Sequence, residues 1–181
     1  MPDWIAESDH RAITLDKNVR NTENIGRAAL KLGDIEEDIQ FGHEGQPTQF
    51  SLTDSGEQIV DELRKALHEI FVEEDLNPSD SVILARHKKE NSPLAGVDTL
   101  GNFTVSEEPG SGNQTLQYST IHSYKGLEAD VVFLLVPEWD QQHAQAFYTG
   151  ATRPKHLLWI FSADPMVEQK LSDVGVPEVT T

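Results

Sequence analysis

Residues 131–136, Val-Val-Phe-Leu-Leu-Val, are apolar without a break and rich in β-branched types. Such a run predicts a strand covered on both faces, as in a parallel sheet, rather than the alternation of a half-exposed strand. Residues 116–121 predict a second strand just before it, and 49–52, 81–85 and 157–161 predict three more. Residues 12–15 form a further short candidate. Residues 99–105 are expected to pair with the strand starting at Leu116, across the Pro/Gly loop 106–113.

Helical periodicity is clearest where Ile59, Val60, Leu63, Leu67, Ile70 and Phe71 recur at three- and four-residue spacing, with Asp61, Glu62, Arg64, Lys65, His68 and Glu69 on the other side. Asp54 or Ser55 caps this helix. Thr22 is the N-cap of another, from Glu23 to about Leu32, with Glu23 in its first turn and Gly33 ending it. Residues 141–150 predict a third, while 34–47 and 77–80 read as a loop and a turn. Strands alternating with helices specify an α/β domain with a mainly parallel sheet. No internal repeat or linker divides it, so one domain is expected over residues 1–164, with 165–181 a peripheral or flexible tail.

Charge complicates this picture. The 181 residues carry 14 Lys+Arg against 31 Asp+Glu, a net charge of −17. An acidic surface repels phosphate backbones, which argues against nucleic acid as a partner. The alternative is a protein from a high-salt cytoplasm, where acidic surface serves solubility and screening shortens the reach of charge. Acidic residues are spread along the whole chain rather than gathered in a tail, which favours this halophilic reading. The absence of cysteine rules out disulfides and thiolate chemistry and fits a cytoplasmic location. No apolar run approaches the length of a membrane span and no charged-then-apolar leader opens the sequence, so no membrane partner is expected.

Candidate chemistry gathers in three polar turns, residues 18–22, 120–128 and 148–155. Arg20 and Arg153 are permanently charged forks suited to phosphate oxygens, although an arginine in a turn is more often solvated or salt-bridged. Glu128 can accept hydrogen bonds from a ribose hydroxyl, or simply complement a helix dipole. The loop containing residues 122–128 is expected at the carboxyl ends of strands, where open α/β sheets bind ligands. Residues 86–89, Arg-His-Lys-Lys, are a basic cluster in an acidic chain, either a solvated junction or a phosphate contact. The seven histidines lack metal-ligand spacing, and His87 and His156 are expected at the surface. Trp4, Trp139 and Trp159 could stack bases, but Trp159 lies in a strand pattern that places it in the core.

Taken in order, the three turns resemble motifs of superfamily 1 DNA helicases of the UvrD/Rep type, in their carboxyl-terminal motor domain. Residues 15–22 (LDKNVRNT) are similar to the family's fourth motif, 119–128 (STIHSYKGLE) to its fifth and most specific, and 147–156 (FYTGATRPKH) to its sixth. The resemblance runs from about Ala12 to Phe161. It implies a RecA-like fold of the P-loop NTPase type, a mainly parallel sheet flanked by helices but lacking its own P-loop. It also implies ATP with Mg²⁺ as cofactor, shared with an amino-terminal P-loop domain supplied in cis or in trans, and single-stranded DNA as partner. By the same resemblance Arg20 and Arg153 reach the γ-phosphate, with Arg153 as arginine finger. Glu128, Gly126 and Lys125 lie on the nucleotide side, and Thr120, His122 and Ser123 face the strand.

The chain departs from that family in its missing parts. No Gly-x-x-x-x-Gly-Lys-Ser/Thr is present, and no Asp-Glu pair follows an apolar strand where Mg²⁺ would be held. The interval from Thr22 to Ser119 is too short for a large inserted accessory domain and is closer to compact relatives. The expectation is therefore half a motor, inactive alone. The alternative is a non-catalytic nucleic-acid-binding or regulatory module that keeps the helicase fold.

Overall fold

The computed structural model describes residues 17–18, 20–73, 77–108, 112 and 114–179. The candidate strand at 12–15 and Trp4 lie outside them. In chain order the elements are β1 (Lys17–Asn18), α1 (Glu23–Leu32), β2 (Gln40–Phe41), β3 (Gln49–Leu52) and α2 (Gly56–His68). They continue with β4 (Ser81–Ala85), β5 (Thr99–Leu100), β6 (Phe103–Ser106), β7 (Thr115–Thr120), β8 (Ala129–Val136), α3 (Ala144–Ala151), β9 (Pro154–Ser162) and α4 (Pro165–Ser172).

The main sheet has the order β3-β9-β8-β4-β7-β6-β5, parallel throughout except for the antiparallel pair β5–β6. Side chains alternate across it, as the pleat demands. Ile83, Ala85, Val131, Phe133, Leu135, Leu157, Trp159 and Phe161 point to one face and pack against Ile59, Leu63, Leu67, Ile70 and Phe71 of α2 and its π-helical extension Glu69–Glu73. Val82, Leu84, Val132, Leu134, Leu158 and Ile160 point to the other, against Ile25, Ala28 and Leu32 of α1, Phe147 of α3, and Val167 and Leu171 of α4. The continuous apolar runs therefore reflect burial from both sides, and the mainly parallel α/β fold is borne out.

Both expected helix starts are realised through side-chain caps. The Thr22 hydroxyl accepts from Ile25 N–H and the Ser55 hydroxyl from Gln58 N–H, each satisfying a donor left open in the first turn. Four expectations differ. Residues 99–105 form a hairpin with a turn at Gly101 and Asn102, and only its second strand, β6, pairs with β7. The loop 34–47 contains β2, which pairs with β1; Gly26 of α1 leaves no room for a Cβ beneath Phe41. The last strand starts at Pro154, three residues earlier than expected.

The fourth difference corrects the tail. Residues 165–172 form α4, capped by Asp164 with Pro165 at the first helical position, and Val167 and Leu171 are fully buried. Val179 N–H donates to Phe50 O at 2.7 Å, closing the segment onto β3. Residues 165–179 thus carry an outer helix anchored by Val167 and Leu171 and a backbone closure onto β3.

Candidate functional site

The loop joining β7 to β8 leaves the sheet at one edge and re-enters at the other. Its strands are parallel, so residues 121–128 must travel back along the sheet, a distance of about 20 Å for a strand of this length. Ile121 and Tyr124 are buried against the core on the way, while His122, Ser123, Lys125, Gly126, Leu127 and Glu128 are exposed. Gly126 has φ of 89°, a left-handed conformation that glycine adopts without strain. The loop expected as one site thus delivers its groups to two edges.

At the amino edge, Glu128 directly precedes β8 and Arg153 directly precedes β9, with Ala129 opposite Pro154 in the ladder. Arg20 reaches them from the turn before α1, and its guanidinium pairs with Glu128 at 2.7 Å. Asn21 fixes that turn: it is buried, and its amide donates to the carbonyls of Thr152 and Pro154, both at 3.3 Å. Arg153 is only 8% exposed. Its Nε donates to Thr149 O at 2.8 Å and Nη2 to Thr152 Oγ1 at 3.0 Å. Burial holds its pKa below the usual guanidinium value, helped by the charge of Arg20 and opposed by Glu128 and Tyr148. The group stays cationic at neutral pH all the same. Tyr124 braces the return of the loop by donating to Glu128 O at 3.1 Å, and burial beside the Glu128 charge raises its pKa. Two arginines against one carboxylate make a locally cationic corner on an acidic protein.

At the carboxyl edge, Ala85 of β4 lies opposite Thr120 of β7, and Ile121 N–H donates to Ala85 O at 2.8 Å. Thr120 Oγ1 accepts from Ser123 N–H at 3.1 Å and donates to Ser123 Oγ at 2.8 Å, a hydroxyl-closed turn that presents Ser123 and His122 to solvent. Arg86 is the next residue beyond β4. Tyr118 pins this segment by donating to His87 O at 2.7 Å. The chain leaves β4 toward β7 and leaves β8 toward β9, so the order of connections reverses between β4 and β8, where open α/β sheets form ligand crevices. A cavity of about 270 Å³ lies there, lined by Arg86, His87, Asn91, Pro93, Glu138 and Phe147 among others.

The stretch holding the second and third turns, and the mainly parallel sheet, are matched by comparison with known proteins. Residues 116–161 match the UvrD-like helicase C-terminal domain family. The matched stretch contains the β7–β8 loop and Arg153, and leaves Arg20 outside. The fold is that of helicase C-terminal domains: the crystal structure of the C-terminal domain of a possible DNA helicase from Lactobacillus plantarum WCFS1 aligns with a TM-score of 0.61 at 18% identity, covering 83% of this chain and 92% of that one. Two structures of the PRRSV helicase align at TM-scores of 0.46 and 0.42, with 15% and 17% identity. They cover 93% and 91% of this chain and 27% of each helicase chain. No curated protein matches in sequence. Among the described residues no helix is long and apolar enough to cross a membrane, and no cluster of three or more His, Asp or Glu could hold a metal.

The UvrD-like segment and the turn before α1 bring Arg20, Glu128 and Arg153 together, while Thr120, His122 and Ser123 stand at the far edge and Lys125 is exposed between them. Trp159 is core, its indole N–H donating to Ser51 Oγ and its ring stacked on Phe161 at 5.7 Å. Trp139 is tied down by its indole bond to Leu32 O at 2.9 Å and by Lys170 over its ring at 4.0 Å. His87 and His156 are exposed, as expected. Asn21, Tyr118 and Tyr124 went unnoticed in sequence, since an isolated polar or aromatic residue in a turn gives no periodic signal.

Proposed function

We propose that this chain is the second motor domain of an ATP-dependent DNA helicase or translocase. The observation that carries this is the meeting of Arg20, Glu128 and Arg153 at one edge, from three segments distant in sequence, with Asn21 clasping two of them. In this reading the amino edge is half of an ATP site and a separate P-loop domain supplies the other half. A guanidinium pair fits a polyphosphate, and Mg²⁺ would arrive with the nucleotide, held by the partner's groups. Arg153 leaves its bonds to Thr149 and Thr152 to meet the γ-phosphate and acts as the finger. Such an arginine is worth about 10³–10⁵ in rate, or roughly 4–7 kcal/mol. Glu128 exchanges Arg20 for the ribose, and Lys125 and Gly126 lie on the same side. Thr120, His122 and Ser123, joined by Arg86, contact phosphates of a single strand at the opposite edge. The β7–β8 loop connects the two. High salt in the cytoplasm would reconcile the charge of −17 with such a partner, and melting temperature should then rise as KCl goes from dilute to molar.

The test is reconstitution. The chain is mixed with a P-loop-containing half and DNA-stimulated ATP hydrolysis is measured, with Arg153→Ala as the control. Turnover that appears on mixing and is lost in the variant supports the motor reading. Turnover indifferent to Arg153→Ala removes the finger. Strand binding without turnover at any salt concentration favours the alternative, a non-catalytic nucleic-acid-binding or regulatory module.

A further inference from the structure

Arg86 is held by groups that cannot all be satisfied together. Its Nη1 donates to Asp140 Oδ2 at 3.0 Å and lies 2.5 Å from His143 Nδ1. The same Nδ1 lies 2.6 and 2.7 Å from the two Asp140 carboxylate oxygens. An imidazole nitrogen carries either a lone pair or a proton. With a lone pair it accepts from Arg86 and leaves Asp140 to the arginine. With a proton it donates to Asp140 and turns Arg86 away. Asp140 also caps the turn beneath, accepting from His143 N–H at 3.0 Å, so carboxylate and imidazole have little freedom to separate. On its other side Arg86 Nε donates to His87 Nε2 at 3.0 Å. The charged and titratable groups around His143 are Arg86 and His87 from the end of β4, Asp140 from its own turn, and Glu138, which lines the same cavity. Burial raises the Asp140 pKa, but hydrogen bonds and charge from His143, with Arg86, outweigh it and hold the carboxyl below its usual value.

We propose that Asp140 and His143 are positioning residues for Arg86, holding its guanidinium back while His143 is the neutral Nε2–H tautomer, with its lone pair on Nδ1, and freeing it for a strand phosphate when the imidazole is protonated on both nitrogens. This rests on Arg86 being a single-strand contact, as proposed above. The protonated imidazole matches the Asp140 charge, loses its acceptor and repels the guanidinium. All three changes act in one direction. The test therefore covers a window of about pH 5–8, the range in which histidine side chains in general change charge.

Two measurements on the full chain test this separately from the motor reading. First, NMR follows the Arg86 Nε–Hε resonance and the His143 ring across that window. A shared midpoint, lost for Arg86 in Asp140→Asn, is expected; independent titrations overturn the positioning role. Second, fluorescence anisotropy with a labelled oligothymidylate gives the ratio of wild-type to Arg86→Gln affinity at both ends of the window. The ratio should be roughly tenfold at the acid end and under about twofold at the alkaline end, and His143→Asn should make it independent of pH. A ratio above one but equal at both pH values overturns the proposal and leaves Arg86 as a strand contact. A ratio of one throughout, with coupled NMR titrations, overturns the strand contact itself.

Discussion

The two edges of the sheet are built on different principles. The amino edge is assembled from afar: Asn21 reaches Thr152 and Pro154 across more than 130 positions, and Arg20 pairs with Glu128. The carboxyl edge shapes its turns locally, Thr120 closing on Ser123 and Asp140 on His143, and ties them together through Tyr118 to His87 and Arg86 to Asp140. The first edge buries its principal arginine against the end of α3, while the second presents exposed side chains on a turn. Groups that must act only when a partner arrives can be stored in bonds that the partner replaces. In the proposed motor, groups that meet a passing strand can stand open.

This contrast can be broken most decisively at Arg153. In a reconstituted motor, Arg153→Ala should lower DNA-stimulated turnover by about 10³-fold or more, while the affinity of the chain for an oligonucleotide stays as it was. A parallel loss of strand binding would mean that the edges are not separate. Next comes Asn21→Ala, which strands two buried carbonyls and should cost about 2 kcal/mol, a drop in melting temperature of about 4–8 °C for a chain of this size. An unchanged melting temperature would show that the clasp contributes nothing.

Smaller effects are expected at the open edge. Thr120→Ala and His122→Ala should each weaken oligonucleotide binding by about 1 kcal/mol, roughly fivefold in Kd, with melting curves little altered. Thr120→Ala melting well below wild type would instead assign the hydroxyl to the fold. The smallest effect belongs to Glu128→Gln. Its pair with Arg20 is well exposed on both sides, so stability should change by less than about 1 kcal/mol. A larger loss would mean that this pair, rather than Asn21, secures the corner.

The layers of the fold were legible wherever burial left a period. α1 and α2 announced themselves through Thr22, Ser55 and apolar residues at helical spacing, and β4 and β8 through unbroken apolar runs. β1 and β2 were not, because two residues make no period and their pairing depends on Phe41 settling over Gly26. α4 offers only Val167 and Leu171 to the core, too few for a pattern, although Asp164 followed by Pro165 was a readable start. β9 begins with Pro-Lys-His, of which Lys155 and His156 are exposed, so its first turn of ladder looked like loop. Family resemblance singled out three turns, and the structure brings Arg20, Glu128 and Arg153 from them to one corner. The division of the site between two edges was not legible, since nothing in the spacing of 120–128 says that the loop runs the length of the sheet.

The position of β9 also sets a timetable. Among the described strands β3 has β9 as its one neighbour in the main sheet, and Phe50 is then closed over by residues 178 and 179. Asn21 waits for the carbonyls of Thr152 and Pro154. During synthesis, β4, β7 and β8 can assemble as they emerge, but β3 and the Arg20 turn have no docking place until the final strand has left the ribosome. Long-range parallel pairings of this kind fold slowly. The corner that carries two arginines is therefore completed only after the centre of the sheet, and a chain cut short before β9 would lack it.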